Sequence, residues 1–149
     1  MDTATKLEDI IDSCTKDMQA VSAFAFAEKI SPEKWSRKEI LGHLIDSAQN
    51  NIRRFIAAQY EDAPVILYNQ DRWVQINHYQ QYQPEELIQL WKLLNRQICY
   101  IIRNTNTEAL QRMAVTSEPH SIQWLAEDYI KHLLHHLHLV IGKEPIPYP

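Results

Sequence analysis

Residues 124–140, WLAEDYIKHLLHHLHLV, carry four of the chain's seven histidines. At about 100° per residue, His132 and His136 lie about 40° apart, one helical turn from each other on one face. His135 is rotated about 60° from His132 the other way, and His138 points about 120° away, off the shared face. Leu125, Tyr129, Leu133, Leu137 and Val140 fall on or beside the same line. Two imidazoles therefore point with an apolar stripe into the core of a helical protein. Neutral imidazoles at i and i+4 can share one metal ion, because their nitrogens converge within reach of a single centre. A helix with several surface histidines and one hydrogen-bonded core histidine explains the stretch equally well. A third ligand from elsewhere decides between the two.

Composition bounds the rest. The chain has 149 residues, enough for one domain (1–149) with a sizeable core. A hydrophobic share of 45% with 23% charged residues is that of a globular protein, and only two glycines fits long helices with few tight turns. A net charge of −4 excludes the electrostatic footprint of a nucleic-acid binder. No apolar run reaches the length needed to cross a bilayer. The opening MDTATKLEDI is acidic and amphipathic, unlike a signal peptide, so a cytoplasmic protein is expected. Cys14 and Cys99 match no metal or redox spacing and fall on apolar stripes, which predicts buried free thiols.

Four amphipathic helices follow from the periodicity. The first is expected from about Thr3 to Lys29, on Leu7, Ile11, Cys14, Met18, Val21 and Ala25, and ends at Ser31-Pro32. The second begins at the S-x-x-E capping box of Ser36 and Glu39, with Trp35 and Ile40 placed as a hydrophobic staple. Its apolar stripe runs through Leu41, Leu44, Ile45, Ala48, Ile52, Phe55 and Ile56. Beside it lies a polar line of His43, Ser47, Asn50 and Arg54, and Asp46 stands three residues from His43, placed either to accept from its imidazole N–H or to stand as a solvated carboxylate. The third helix starts at Pro84 and carries Leu87, Leu90, Trp91, Leu94, Ile98 and Ile101. Thr107 is expected to cap one or two turns through Met113, and residues 114–120 read as loop. Ser121 caps the fourth helix, and Gly142 stops it ahead of Pro145, Pro147 and Pro149.

Between Asp62 and Tyr82 the helical pattern stops. This connection is too long to be ordinary, and its density of Tyr68, Gln70, Asp71, Trp73, Asn77, His78 and Tyr79 suits either a stapled crossing of the bundle end or a lid over a site. Asp71 is placed to cap a short helix through about Gln80.

Four such helices imply an all-α four-helix bundle, which builds metal sites from side chains on facing helices. The third ligand must face inward from another helix, and His43 meets both conditions. Three neutral histidines leave a coordination position open for water or substrate, the pattern of a catalytic zinc site.

His43, His132 and His136, with Trp35 and the run WSRKEILGHLIDSAQNNIRRF, resemble the DinB-like superfamily of metal-dependent four-helix bundle proteins. YNQDRW, Tyr68 to Trp73, is similar to the Y-x-Q-D-x-W motif of its YfiT branch, and HLLHHL to that branch's H-x-x-H-H pattern. YfiT-like proteins are described as metal-dependent hydrolases or bacillithiol transferases. The resemblance implies an up-down-down-up bundle, a zinc or nickel ion on His43, His132 and His136, and a homodimer. It implies a small-molecule substrate, with a low-molecular-weight thiol among the candidates.

On that basis the expected function is activation of a thiol by the metal for S-transfer to an electrophilic small molecule. The alternatives are hydrolysis by metal-bound water and a non-enzymatic, stress-related metal-binding module. Tyr68, Gln70 and Asp71 are expected to orient substrate or water. Arg54, Asn50 and Trp73 are expected to contact the bound small molecule. Ordinary imidazoles titrate near pH ~6.5, which predicts metal release as the pH falls below that value toward 5.

Overall fold

The computed structural model describes residues 1–148. Four long helices form the frame: α1 (Thr3–Gln19), α3 (Arg37–Ala57), α5 (Pro84–Arg103) and α7 (Ile122–Ile141). Between them lie the short helices α2 (Ala23–Ala27), α4 (Gln70–Asn77) and α6 (Thr107–Leu110), a 3-10 turn at Tyr79–Gln81, and strands β1 (Met113–Val115) and β2 (Pro119–Ser121). No helix among the described residues is long and apolar enough to cross a membrane.

The expected caps form. The Ser36 hydroxyl accepts from Glu39 N at 3.2 Å while the Glu39 carboxylate accepts from Ser36 N at 3.1 Å, so two free donors at the start of α3 are satisfied. The Ser121 hydroxyl accepts from Trp124 N, and Gly142 closes α7 at φ 74°, where a side chain would be strained. These ends fix the phase of α3 and α7, and therefore which histidines face inward.

Packing gives the topology. α1 and α3 each lie against both α5 and α7, so the bundle runs α1, α5, α3, α7 around its axis. Arg103 bonds Glu8 and Arg96 bonds Asp12, so α5 runs antiparallel to α1. Lys143 beyond the end of α7 meets Asp17 near the end of α1, which makes those two parallel. Arg37 at the start of α3 lies beside Gly142 at the end of α7, which makes that pair antiparallel. The order is up-down-down-up. Two neighbouring parallel helices, α3 and α5, need a long return, and residues 58–83 supply it. The apolar stripes meet in one core that includes Leu7, Ile11, Leu44, Phe55, Trp91 and Leu133, all fully buried. Truncating one of them, as in Leu44→Ala, should cost about 2–5 kcal/mol.

Four details differ from the sequence reading. The first helix ends at Gln19, because Ser22 turns out to cap a separate helix by accepting from Ala25 N; the apolar spacing of Val21 and Ala25 carries across the break. Asn69 caps α4, by accepting from Arg72 N, and Asp71 sits in its first turn; the helix stops at His78, which is left-handed at φ 53°. Asn106 caps α6, by accepting from Ala109 N. Residues 113–121 form a small antiparallel hairpin, Ala114 opposite His120, and Val115 adds a parallel bridge to Val65. Of the three prolines after α7, Pro149 lies outside the described residues.

Candidate metal centre

His43 enters the core from α3, and His132 and His136 face it from α7. One ring nitrogen of each lies within 4.8 Å of the others. The Nε2 atoms of His43 and His132 are 3.1 Å apart. Two nitrogens bound at about 2.0–2.1 Å to one zinc at the tetrahedral angle stand about 3.3 Å apart, close to the His43–His132 spacing, so this donor set suits a divalent transition ion. The rings hold each other edge-on, with centroids 5.0 Å apart for His43 and His132 and 4.9 Å for His43 and His136. Trp35, just ahead of the α3 cap, packs on His43 at 5.1 Å.

Electrostatics keep the cluster neutral. Burial, then the neighbouring imidazoles His132 and His136, pull His43 from 6.5 down to about 3. Burial, then His135, lowers His132 to about 4; burial, then His132 and His135, lowers His136 to about 4. Neutral imidazole is the ligating form. The acid release expected between pH 6.5 and 5 therefore moves lower, because three apolar-packed rings resist protonation far more than a free histidine does.

The Nδ1 atoms of His43 and His136 are buried without a hydrogen-bond partner among the described residues. Asp46 was expected to accept from His43; its carboxylate instead accepts from the Tyr79 hydroxyl at 2.5 Å and from Asn77 at 3.4 Å. Burial raises Asp46 to about 6, against the lowering effect of Tyr79. The Tyr79 ring reaches this position by lying on Gly42: a Cβ there would be 2.0 Å from Tyr79 Cδ2. The three imidazole rings are thus held by packing, and Asp46 ties the 62–82 connection to α3.

A cavity of about 470 Å³ opens beside the cluster and reaches His132. Arg54 and Tyr68 line it, whereas Gln70 and Asp71 are exposed at the start of α4 and Asn50 and Trp73 do not reach its wall. Trp73 supports Tyr68 edge-on at 5.6 Å, and Asn50 donates to Asp46 O within α3. Of the motif from Tyr68 to Trp73, the first residue faces the cavity and the last braces it.

The same cavity takes in side chains that the sequence reading passed over: His120, Trp124, Asp128, Lys131 and Tyr148. Trp124, Asp128 and Lys131 recur at i, i+4 and i+7 on α7 beside the His132 line, so their spacing was available. His120, from β2, stacks on Trp124 at 3.6 Å and 9°. Tyr148 arrives from a tail that runs back along α7. His138 Nδ1 donates to Glu144 O at 2.7 Å, His135 Nδ1 to Ile146 O at 2.6 Å, and the Tyr148 hydroxyl to Asp128 at 2.8 Å. The Tyr148 ring packs on His132 at 5.5 Å. His135 and His138 thus face the tail.

The fold is similar to that of YfiT from Bacillus subtilis, described as a probable metal-dependent hydrolase with an unusual four-helix bundle topology. The TM-score is 0.81 at 18% identity, over 94% of this chain and 82% of that one. It is also similar to a mutant of the mycothiol-dependent maleylpyruvate isomerase, with a TM-score of 0.78 at 12% identity over 99% of this chain. The isomerase itself gives 0.71 at 14% identity over 95%. This chain spans only 63% and 58% of those two chains. No curated protein matches it. The family model of the DinB superfamily matches residues 6–140, which takes in α3 and α5 whole, nearly all of α1 and α7, and the three histidines. The chain belongs to the DinB superfamily.

Proposed function

We propose that the protein is a metal-dependent enzyme that activates a small thiol for transfer to an electrophilic small molecule. The observation that carries this reading is the convergence of three neutral imidazoles on one point at the edge of a polar cavity. His43, His132 and His136 would hold the ion, zinc or nickel by its donor set. A divalent ion held there would lower the pKa of a thiol or water bound to it, and would so supply a nucleophile near neutral pH. The chain's own residues do the rest. The apolar packing of the three rings keeps them unprotonated, Tyr68 and Arg54 position the substrate, and the stacked His120 and Trp124 offer it a flat wall. Gln70 and Asp71 have no part in this reading, because their side chains point to solvent.

Similarity to mycothiol-dependent isomerases supports a thiol co-substrate, and similarity to YfiT supports hydrolysis as the second reading. The two separate in one experiment. Zinc- or nickel-loaded protein is given a panel of thiols with an aryl halide, and in parallel a panel of esters and amides. A thioether product that disappears in His132→Ala supports transfer. Carboxylate release without thiol supports hydrolysis. No turnover on either panel by fully loaded protein would leave a metal-binding module.

A further inference from the structure

Arg54 is the one cation among the described residues buried beside the cavity, with 9% of its surface exposed. Its Nε and Nη2 both donate to Ile66 O, at 3.2 and 2.9 Å, and Nη1 reaches Asn51 Oδ1 at a long 3.4 Å. A guanidinium has five N–H donors in a rigid fork. One edge of this fork is spent on the Ile66 carbonyl, which fixes its plane, and the Nη1/Nη2 end keeps donors to spare. No ion pair among the described residues involves Arg54. The carboxylate that shares the cavity, Asp128, is hydrogen-bonded by Tyr148. A buried charge without a counter-charge is costly, and a planar anion is the partner that a guanidinium fork fits best. The exposed Lys131 adds a second positive charge at the rim.

Position sets the size of the ligand. Arg54 is eleven residues beyond His43 on α3, so their Cα atoms are about 16 Å apart along the axis and only about 20° apart around it. Side chains on a helix lean toward its N-terminus, so Arg54 reaches back toward the cluster, leaving a span on the order of 10 Å from cluster to guanidinium. The cavity volume of about 470 Å³ suits one such molecule.

The geometry points to Arg54 as the anion subsite of an elongated substrate, whose carboxylate lies on the guanidinium fork while its reacting end reaches the histidine cluster. This rests on the cavity beside the cluster being the active site, and the anion can belong either to the thiol or to the electrophile.

Calorimetric binding to metal-free protein tests the subsite apart from the metal chemistry. The probes are glutathione, S-methylglutathione, glutathione diethyl ester and adipate. Binding of both glutathiones with at least about tenfold weaker binding of the diester, and about tenfold loss in Arg54→Lys, which keeps the charge but not the fork, places the anion on the thiol. Adipate binding with the same Arg54 dependence, and none by glutathione, places it on the electrophile. Gln89→Ala, exposed on α5 and outside the cavity lining, controls for general damage, and thermal melting checks that Arg54→Lys is folded. Equal binding of acid and ester, unchanged binding in folded Arg54→Lys, or no binding of any probe overturns the subsite. Failure of the metal reading shows separately, as absence of bound metal in protein that still binds the carboxylates.

Discussion

The Nε2 atoms of His43 and His132 face each other at 3.1 Å across the contact between α3 and α7. Two nitrogen lone pairs at that distance repel unless a proton or a cation lies between them. His136, one turn along α7, closes the triangle.

Replacing any one of these three by Ala should therefore weaken metal binding by more than the roughly 10–100-fold typical of losing an outer hydrogen bond to a ligand. His138→Ala should leave affinity unchanged, since its Nδ1 is engaged with Glu144 O on the tail. Competition with a chromogenic chelator reads the affinities. Equal losses in all four variants would mean that the cluster is not the binding site.

Gly42 makes a prediction against helix propensity. Ala is normally favoured over Gly within a helix by up to about 1 kcal/mol. Here the new Cβ would overlap the Tyr79 ring, so Gly42→Ala should lose about 1–3 kcal/mol by overpacking. It should also loosen the Tyr79 hydroxyl from Asp46. Denaturant unfolding measures the sign, and a more stable variant would refute the close approach.

Acid behaviour combines two opposed contributions in metal-free protein. The three histidines are lowered in the folded state, so below about pH 6.5 the unfolded chain binds protons that the folded chain refuses, and stability falls toward about pH 4. Asp46 is raised to about 6 from 3.8, so the folded chain holds a proton that the unfolded chain has lost, and stability from this group rises as pH falls from 6 to 3.8. Asp46→Asn should remove the second effect and make the melting temperature fall more steeply between pH 6 and 4. Parallel profiles of variant and wild type would show that Asp46 is ionised in the fold at those pH values.

The tail covers one side of the cluster through Tyr148 and His132. Ending the chain at Lys143 should let a chelator strip the metal faster, with little change in equilibrium affinity, because no ligand is lost. Stopped-flow removal measures this, and an unchanged rate would mean that the metal leaves by another route.

Much of this was legible in the sequence for identifiable reasons. The stripes, the Ser36–Glu39 box, Ser121 and Gly142 are local signals, and they set the phase that turns His43, His132 and His136 inward. The break at Ala20 was hidden because Val21 and Ala25 keep the helical spacing. Strands of three residues, Met113–Val115 and Pro119–Ser121, are too short to show a period. The Asp46–Tyr79 bond joins residues 33 apart, and the Tyr148–Asp128 bond brings back a tail that has no periodicity at all. Such pairings depend on how the connections lie over the bundle, which residue spacing does not encode.

The most direct test of the metal centre is the melting temperature of untagged protein with and without a chelator, alongside elemental analysis. The cluster stays neutral to about pH 4, so the account predicts one transition-metal ion per chain and a chelator-sensitive melting point at both pH 7 and pH 5.5. At a free metal concentration of about 100 times Kd the stabilisation is about 2.7 kcal/mol, a drop on chelation of roughly 5–10 °C for a domain of this size. The apolar core should keep the metal-free bundle helical. Protein that carries no metal, takes none up when offered zinc or nickel, and melts identically with and without chelator would contradict the account.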